Sequence, residues 1–308
     1  MSFVLKSTEE RARLWKPMFA RDLPDLPFHA WPETGNAQDV RYLAAWQPPE
    51  NLAEVFPNLE VLFSVGAGVD QLNLSSVPEN VRIVRMMEPG LAEGMIEYVL
   101  WAVLSYHRDM FRYARQQAEH IWEGTPNISA RHFRVGVMGM GALGLPVLEK
   151  LSELGYVCSG WSRKRHEVPG ITSYAGAEEL DAFLASTDIL ICLMPLTEET
   201  KGILNRQLFG KLPDGACLIN CGRGGHLVQE DLLWALDTGK IKQAILDVTD
   251  PEPLPEQHPF WKHPLIFLTP HIASSSRVDS GGEMILKNII RYQKNERMLG
   301  EIDRSTGY

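Results

Sequence analysis

The chain has 308 residues, 44% of them apolar, and a formal net charge of −9 from 30 Lys and Arg against 39 Asp and Glu. The length points to about two domains. The acidic balance argues against a general nucleic-acid binder, which needs a basic face for phosphates. No apolar run is long enough to span a membrane, and Met1-Ser2-Phe3-Val4-Leu5 is too short for a signal peptide. A cytoplasmic protein is expected, with no membrane and no nucleic-acid partner. Cys158, Cys192, Cys217 and Cys221 lie in or beside apolar runs and form no C-x-x-C pair, so reduced buried thiols are expected and neither a disulfide framework nor a metal site.

The first third alternates short strand-like runs, at 3–5, 40–45, 61–64 and 81–84, with helical or loop pieces. Such alternation predicts a parallel sheet covered by helices. Residues 93–113 read as a longer, mostly apolar helical segment crossing to a second domain. There Arg134-Val135-Gly136-Val137-Met138 opens a series of strands at 156–158, 188–193, 216–220, 244–247 and 265–268. Helical pieces near 177–185, 200–208 and 231–238 separate them, and a last helix, near 282–298, is expected to fold back on the first domain. The domains expected are 1–102 with 276–308, and 103–275.

Gly139-Met140-Gly141-Ala142-Leu143-Gly144 follows the first of these strands. It opens a helix in which Leu143, Val147, Leu151 and Leu154 recur about once per turn. A G-x-G-x-x-G in this context is a dinucleotide fingerprint, with the pyrophosphate at the helix N-terminus. The next strand ends Trp161-Ser162-Arg163-Lys164-Arg165, without the carboxylate that would accept the NAD ribose 2′-hydroxyl. A hydroxyl beside cations suits a 2′-phosphate. NADPH is therefore the preferred cofactor, with NADH possible. Ser162 and Arg163 are the first expected contacts and Lys164 the next, although a basic triplet taken alone is an ordinary solvated turn.

Single reactive residues follow three later strands: Arg223 after 216–222, Asp247 and Glu252 after 244–246, His271 after 265–270. Ligands of open α/β sheets bind outside the carboxyl ends of the strands, so these residues are expected to converge. Reduction of a 2-keto acid needs an anion clamp, a cation on the carbonyl and a proton donor. Arg223 can bond carboxylate and carbonyl oxygens together. His271 donates near neutral pH, and Glu252, in the proline-rich Asp250-Pro251-Glu252-Pro253-Leu254-Pro255, would orient it and raise its pKa. Asp247 is expected on the nicotinamide carboxamide. Pro195 is counted with the cofactor contacts. Each of the trio has a plainer reading alone: a surface arginine, a solvated loop carboxylate, a satisfied buried histidine. His226, His258 and His263 are assigned to that plainer class.

These residues resemble the D-2-hydroxyacid dehydrogenase family over nearly the whole length. The matching pieces are Ser64-Val65-Gly66-Ala67-Gly68-Val69-Asp70, the glycine fingerprint, Leu212-Pro213-Asp214-Gly215-Ala216, Asn220-Cys221-Gly222-Arg223-Gly224, Leu246-Asp247-Val248 through Glu252-Pro253-Leu254-Pro255, and Leu268-Thr269-Pro270-His271-Ile272. Within it the chain is most similar to the glyoxylate/hydroxypyruvate reductase branch, A type, through Trp161-Ser162-Arg163, Ala44-Ala45-Trp46-Gln47-Pro48-Pro49 and the ending Asp303-Arg304-Ser305-Thr306-Gly307-Tyr308.

The resemblance implies catalytic Arg223, Glu252 and His271. It also implies a substrate carboxylate on the Gly66-Ala67-Gly68 amides, and Trp46 lining the substrate pocket. It further implies a homodimer in which Trp122 reaches the partner's active site. Cys221-Gly222 departs from the small residues such as Ala or Ser that relatives carry there, and Cys221 is expected to confer sensitivity to thiol reagents. The expected architecture is two Rossmann- or flavodoxin-like α/β domains with parallel sheets and the active site in the interdomain cleft. The expected activity is NADPH-dependent reduction of a small 2-keto acid. A dehydrogenase for another 2-hydroxy acid and a non-enzymatic dinucleotide-sensing scaffold are the alternatives.

Overall fold

The computed structural model describes residues 1–69, 72–274 and 277–304. Asp70 and residues 305–308, which belong to two of the matching motifs, lie outside the described residues. The chain divides into two compact units, Met1–Leu91 with Ser275–Tyr308, and Ala92–Ser274. The first division falls ahead of the expected 102/103 because one helix, Pro89–His107, runs through it, and a continuous helix offers no turn signal in the sequence.

The smaller unit holds strands β1 (Ser2–Lys6), β2 (Phe28–Ala30), β3 (Val40–Ala45), β4 (Val61–Ser64) and β5 (Arg82–Val84), paired in parallel in the order β2-β1-β3-β4-β5. Helix α1 (Glu9–Asp22) starts on the Thr8 hydroxyl, which accepts the Arg11 amide, and buries Trp15 and Phe19. The short α2 (Leu52–Val55) follows β3. The last helix of the chain, Val278–Gln293, packs on α1, where Trp15 donates to the Val278 carbonyl and lies over Gly282. Beyond it the chain returns to β5, with Glu301 bridged to Val84 and Arg304 donating to the carbonyls of Val77, Pro78 and Val81.

The larger unit is an all-parallel sheet of β6 (Arg134–Met138), β7 (Val157–Ser162), β8 (Thr172–Ala175), β9 (Ile189–Cys192), β10 (Ala216–Asn220), β11 (Ile241–Leu246) and β12 (Ile266–Leu268). The order is β12-β11-β10-β9-β6-β7-β8, so the winding reverses between β6 and β9. Strand alternation splits the core in two. Val135, Val137, Ile189, Ile191, Cys217, Ile219 and Ile245 face one side, against Val147, Leu148 and Leu151 of α5 (Gly144–Glu153) and Val99 and Val103 of α3 (Pro89–His107). Met138, Leu190, Leu218 and Leu246 face the other, against α6 (Leu180–Ala185), α7 (Arg206–Lys211) and α8 (Gln229–Asp237).

Several elements differ from expectation. The 93–113 helix breaks at Asp109, which has φ 52°, and resumes as α4 (Met110–Ala118). The piece expected at 200–208 begins only at Arg206, because Asn205 caps it by accepting the Leu208 amide at 3.0 Å. The last helix, α9 (Val278–Gln293), starts and ends earlier than 282–298 and stops ahead of Asn295, which has φ 56°. β2 and β8 were not anticipated. Both are short edge strands with half-exposed side chains, so neither presents an apolar run. Among the described residues no helix is long and apolar enough to cross a membrane.

Candidate active site

The fingerprint occupies the turn from β6 into α5, beside the reversal of the sheet. Gly139 has φ +105°, and a Cβ there would lie 2.8 Å from the Leu193 carbonyl oxygen. At Gly144 a Cβ would overlap the Gly139 carbonyl oxygen, so a side chain would push the helix off the strand. Gly141 has nothing within 4 Å of its Cβ position, and Gly141 and Ala142 are exposed. No side chain caps α5 at Leu143, and no acidic residue lies in its first turn. The first amides of a helix are donors without intrahelical partners at the positive end of its dipole. In this first turn Pro146 has no amide hydrogen and the Leu145 amide donates to the Gly141 carbonyl at 3.1 Å, so the open approach fits a pyrophosphate at the Leu143 and Gly144 amides. Pro195 follows β9 on the other side of the reversal.

At the end of β7 the Ser162 hydroxyl donates to the Lys164 carbonyl at 2.6 Å. Arg163 and Lys164 are exposed. Arg165 is instead turned to the Glu179 carboxylate and donates to the Ser173 carbonyl at 2.5 Å. The basic run thus divides, with Arg165 tied into the surface around β8.

Arg223, Glu252 and His271 follow the adjacent strands β10, β11 and β12. His271 Nδ1 lies 2.8 Å from Glu252 Oε2. Glu252 Oε1 accepts the Thr249 amide at 3.0 Å, which fixes the carboxylate within its own loop. Gly224 allows the Arg223 segment to lie against the Thr249–Asp250 backbone, which a Cβ would overlap. The hydrogen bond to Glu252 is the largest cause raising the His271 pKa, against burial and the Arg223 charge, which lower it. Burial alone would raise Glu252, but the bonds from His271 and Thr249 and the charges of His271 and Arg223 outweigh it and hold the carboxyl below its usual range. Arg223 thus acts electrostatically on both partners. Its guanidinium also donates to the Gly222 carbonyl at 2.8 Å.

Asp247 has a task that sequence reasoning missed. It is 2% exposed. Oδ1 accepts the Thr269 hydroxyl at 2.6 Å and the Ile272 amide at 2.8 Å, and Oδ2 accepts the Ala273 amide at 2.9 Å. Its backbone carbonyl accepts the His271 amide at 2.8 Å. Three of about four carboxylate acceptor positions are thereby taken. Asp247 thus clamps the turn that carries His271, and the expected nicotinamide contact would take the acceptor position that remains. His271 itself has φ 56°, a left-handed conformation that an L-residue adopts at some cost. The Asp247 clamp holds it there. A carboxylate at the end of β11 carries no sequence signal for a hold on the Thr269-Pro270-His271 turn after β12, since two of its three partners there are backbone amides.

In the smaller unit, Gly66-Ala67-Gly68 leaves the carboxyl end of β4. The Ser64 hydroxyl accepts the Gly66 amide at 3.2 Å and reaches the Gly68 carbonyl at 2.9 Å. The Trp46 ring packs over Gly66, where a Cβ would come within 2.5 Å of it. Trp122, in the larger unit, is fully exposed. All four cysteines are free and buried. Burial pushes the Cys221 thiol well above its ordinary pKa, and charge repulsion from Asp247 and Cys192 reinforces this. A protonated, inaccessible thiol is inert, which corrects the expected sensitivity to thiol reagents.

A sheet reversal that opens a glycine turn and the start of a helix to a pyrophosphate, with an Arg–Glu–His group on the ends of β10, β11 and β12 in the same sheet, defines a nicotinamide-dependent oxidoreductase. The family model for the NAD binding domain of D-isomer specific 2-hydroxyacid dehydrogenases matches residues 100–273. The chain belongs to this family of NAD(P)-dependent oxidoreductases. It is 34% identical to a D-isomer specific 2-hydroxyacid dehydrogenase from Xanthobacter autotrophicus Py2, solved in complex with NADPH and MES, with TM-score 0.94 and coverage of 100% of this chain and 99% of that one. It is 33% identical to an NADPH-dependent glyoxylate/hydroxypyruvate reductase from Sinorhizobium meliloti, solved with NADP and sulfate, with TM-score 0.93 and 100% of both chains covered. A family protein from Klebsiella pneumoniae 342 is 36% identical, with TM-score 0.90, over 99% of this chain and 98% of that one.

Proposed function

We propose that the protein reduces a small 2-keto acid, such as glyoxylate or hydroxypyruvate, to the 2-hydroxy acid with NADPH. The observation that carries this reading is the 2.8 Å contact of His271 with Glu252 beside the Arg223 charge, on the sheet edge that also holds the fingerprint turn. The similarity to the Sinorhizobium meliloti reductase supports the substrate class.

When bound, NADPH supplies the hydride. The amides at the start of α5 hold its pyrophosphate, and Ser162 and Arg163 take the 2′-phosphate, with Lys164 beside them. Arg223 bonds the substrate carboxylate and carbonyl oxygens and stabilises the developing oxyanion. Protonated His271, oriented by Glu252 through Nδ1, gives the proton on Nε2 to that oxygen. The Gly66-Ala67-Gly68 loop is assigned the substrate carboxylate, with the Gly66 amide turned to the Ser64 hydroxyl, and Trp46 the substrate side of that loop. The exposed Trp122 is assigned to a homodimer contact.

The test is initial-rate NADPH oxidation with glyoxylate, hydroxypyruvate, pyruvate and phenylpyruvate, repeated with NADH. Faster turnover of the small keto acids with NADPH supports the reading. NADPH binding without turnover of any of them overturns it in favour of a dinucleotide sensor.

A further inference from the structure

His226 is fully buried and stands apart from the trio. Its Nδ1 lies 3.0 Å from the Arg223 amide nitrogen. Nδ1 also lies 3.1 Å from the Arg223 carbonyl oxygen; with Nδ1 accepting the amide N–H, which only donates, the ring proton sits on Nε2. Nε2 lies 3.2 Å from the Pro195 carbonyl oxygen, an acceptor. The neutral ring is therefore satisfied at both ends. Both partners are backbone groups of segments that the proposed reaction uses: Arg223 after β10 and Pro195 after β9.

Gly222 makes this possible. A Cβ at position 222 would lie 3.0 Å from His226 Nδ1 and Cε1 and 3.2 Å from the Met194 carbonyl oxygen. The glycine and the histidine thus form a packed pair. Asn220 holds the same loop from the strand side, accepting the Gly222 amide at 3.2 Å and donating to the Arg223 carbonyl at 3.1 Å.

We infer that His226, seated on Gly222, is a positioning residue that fixes the Arg223 backbone relative to the Pro195 segment. The inference rests on the proposed reductase reading. Displacing a catalytic group by about 1 Å can cost on the order of 100-fold in rate. His226→Leu removes both bonds and should lower kcat/KM for glyoxylate by about 10- to 100-fold. Gly222→Ala, which presses on the ring, should act in the same direction and less strongly. His226→Gln, which can accept and donate, should recover part of the loss.

The decisive measurement repeats His226→Leu in an Arg223→Lys background. If His226 acts through Arg223, the further loss there is less than about threefold. An equal loss in both backgrounds overturns the inference, as does a lowered melting temperature with unchanged kcat/KM per folded molecule. Should His226→Leu not fold, unchanged kcat/KM in both Gly222→Ala and His226→Gln overturns it. Turnover by the unsubstituted protein, and its loss in Arg223→Ala, test the reductase reading separately.

Discussion

His271 Nδ1 lies 2.8 Å from Glu252 Oε2 while the other Glu252 oxygen accepts the Thr249 amide at 3.0 Å. The carboxylate cannot turn from the imidazole without losing a backbone bond. This fixes the tautomer, because Nδ1 keeps a proton for Glu252 and Nε2 is left to titrate.

The pH dependence follows. With its pKa raised, His271 stays protonated further into the neutral range. Keto-acid reduction should hold up to that pKa and fall above it. Oxidation of the hydroxy acid should rise over the same interval. Glu252→Gln removes the anion and should shift the fall to lower pH, as measured by kcat/KM profiles. The raised His271 contributes stability that is present below its ordinary value of 6.5 and is lost as pH rises through the folded value. The lowered Glu252 contributes stability that is present above its ordinary value of 4.5 and is lost as pH falls through the folded value. The melting temperature gap between the unsubstituted protein and Glu252→Gln should be widest between those two values. Coincident pH profiles would contradict the pairing.

Asp247→Asn keeps one carbonyl oxygen for three donors and turns its NH2 toward the Ala273 amide, or if flipped toward the Ile272 amide, neither of which can accept. Leaving buried donors unmatched costs about 1–3 kcal/mol. The expected result is a lower melting temperature together with reduced kcat, because the turn that holds His271 loosens. A variant with full kcat would show that the clamp does not position His271.

Two glycines of the fingerprint should separate binding from folding. Gly141→Ala meets no protein atom and should keep the melting temperature while weakening NADPH binding by at least about tenfold. Gly144→Ala collides with the Gly139 carbonyl and should lower stability as well. Equal melting losses in the two variants would contradict this division.

Arg163→Ala should narrow the preference for NADPH over NADH, read as the ratio of kcat/KM values. Arg165→Ala should leave that ratio nearly unchanged, since Arg165 is held by Glu179 and Ser173. The reverse ranking would mean that Arg165 leaves Glu179 when the cofactor binds.

What the sequence made legible was whatever repeats along the chain or ends a strand. The glycine spacing located the β6–α5 turn, and Arg223, Glu252 and His271 stood out because each follows its own apolar run. Partners across space left no such trace. The clamp of Asp247 on Ile272 and Ala273 consists of backbone amides, and Arg165 meets Glu179 fourteen residues away. His226 was indistinguishable from any buried histidine until its ring was found between Arg223 and Pro195. β2 and β8 escaped because short edge strands such as Phe28–Ala30 and Thr172–Ala175 lack a buried face.

The most direct test of the central claim measures glyoxylate turnover and NADPH affinity together in Arg223→Ala and His271→Ala. Each variant should lose at least about 100-fold in kcat/KM while the NADPH Kd stays within about threefold of the unsubstituted protein. Retained turnover in either variant, or loss of NADPH binding along with it, would contradict the roles assigned to these two residues.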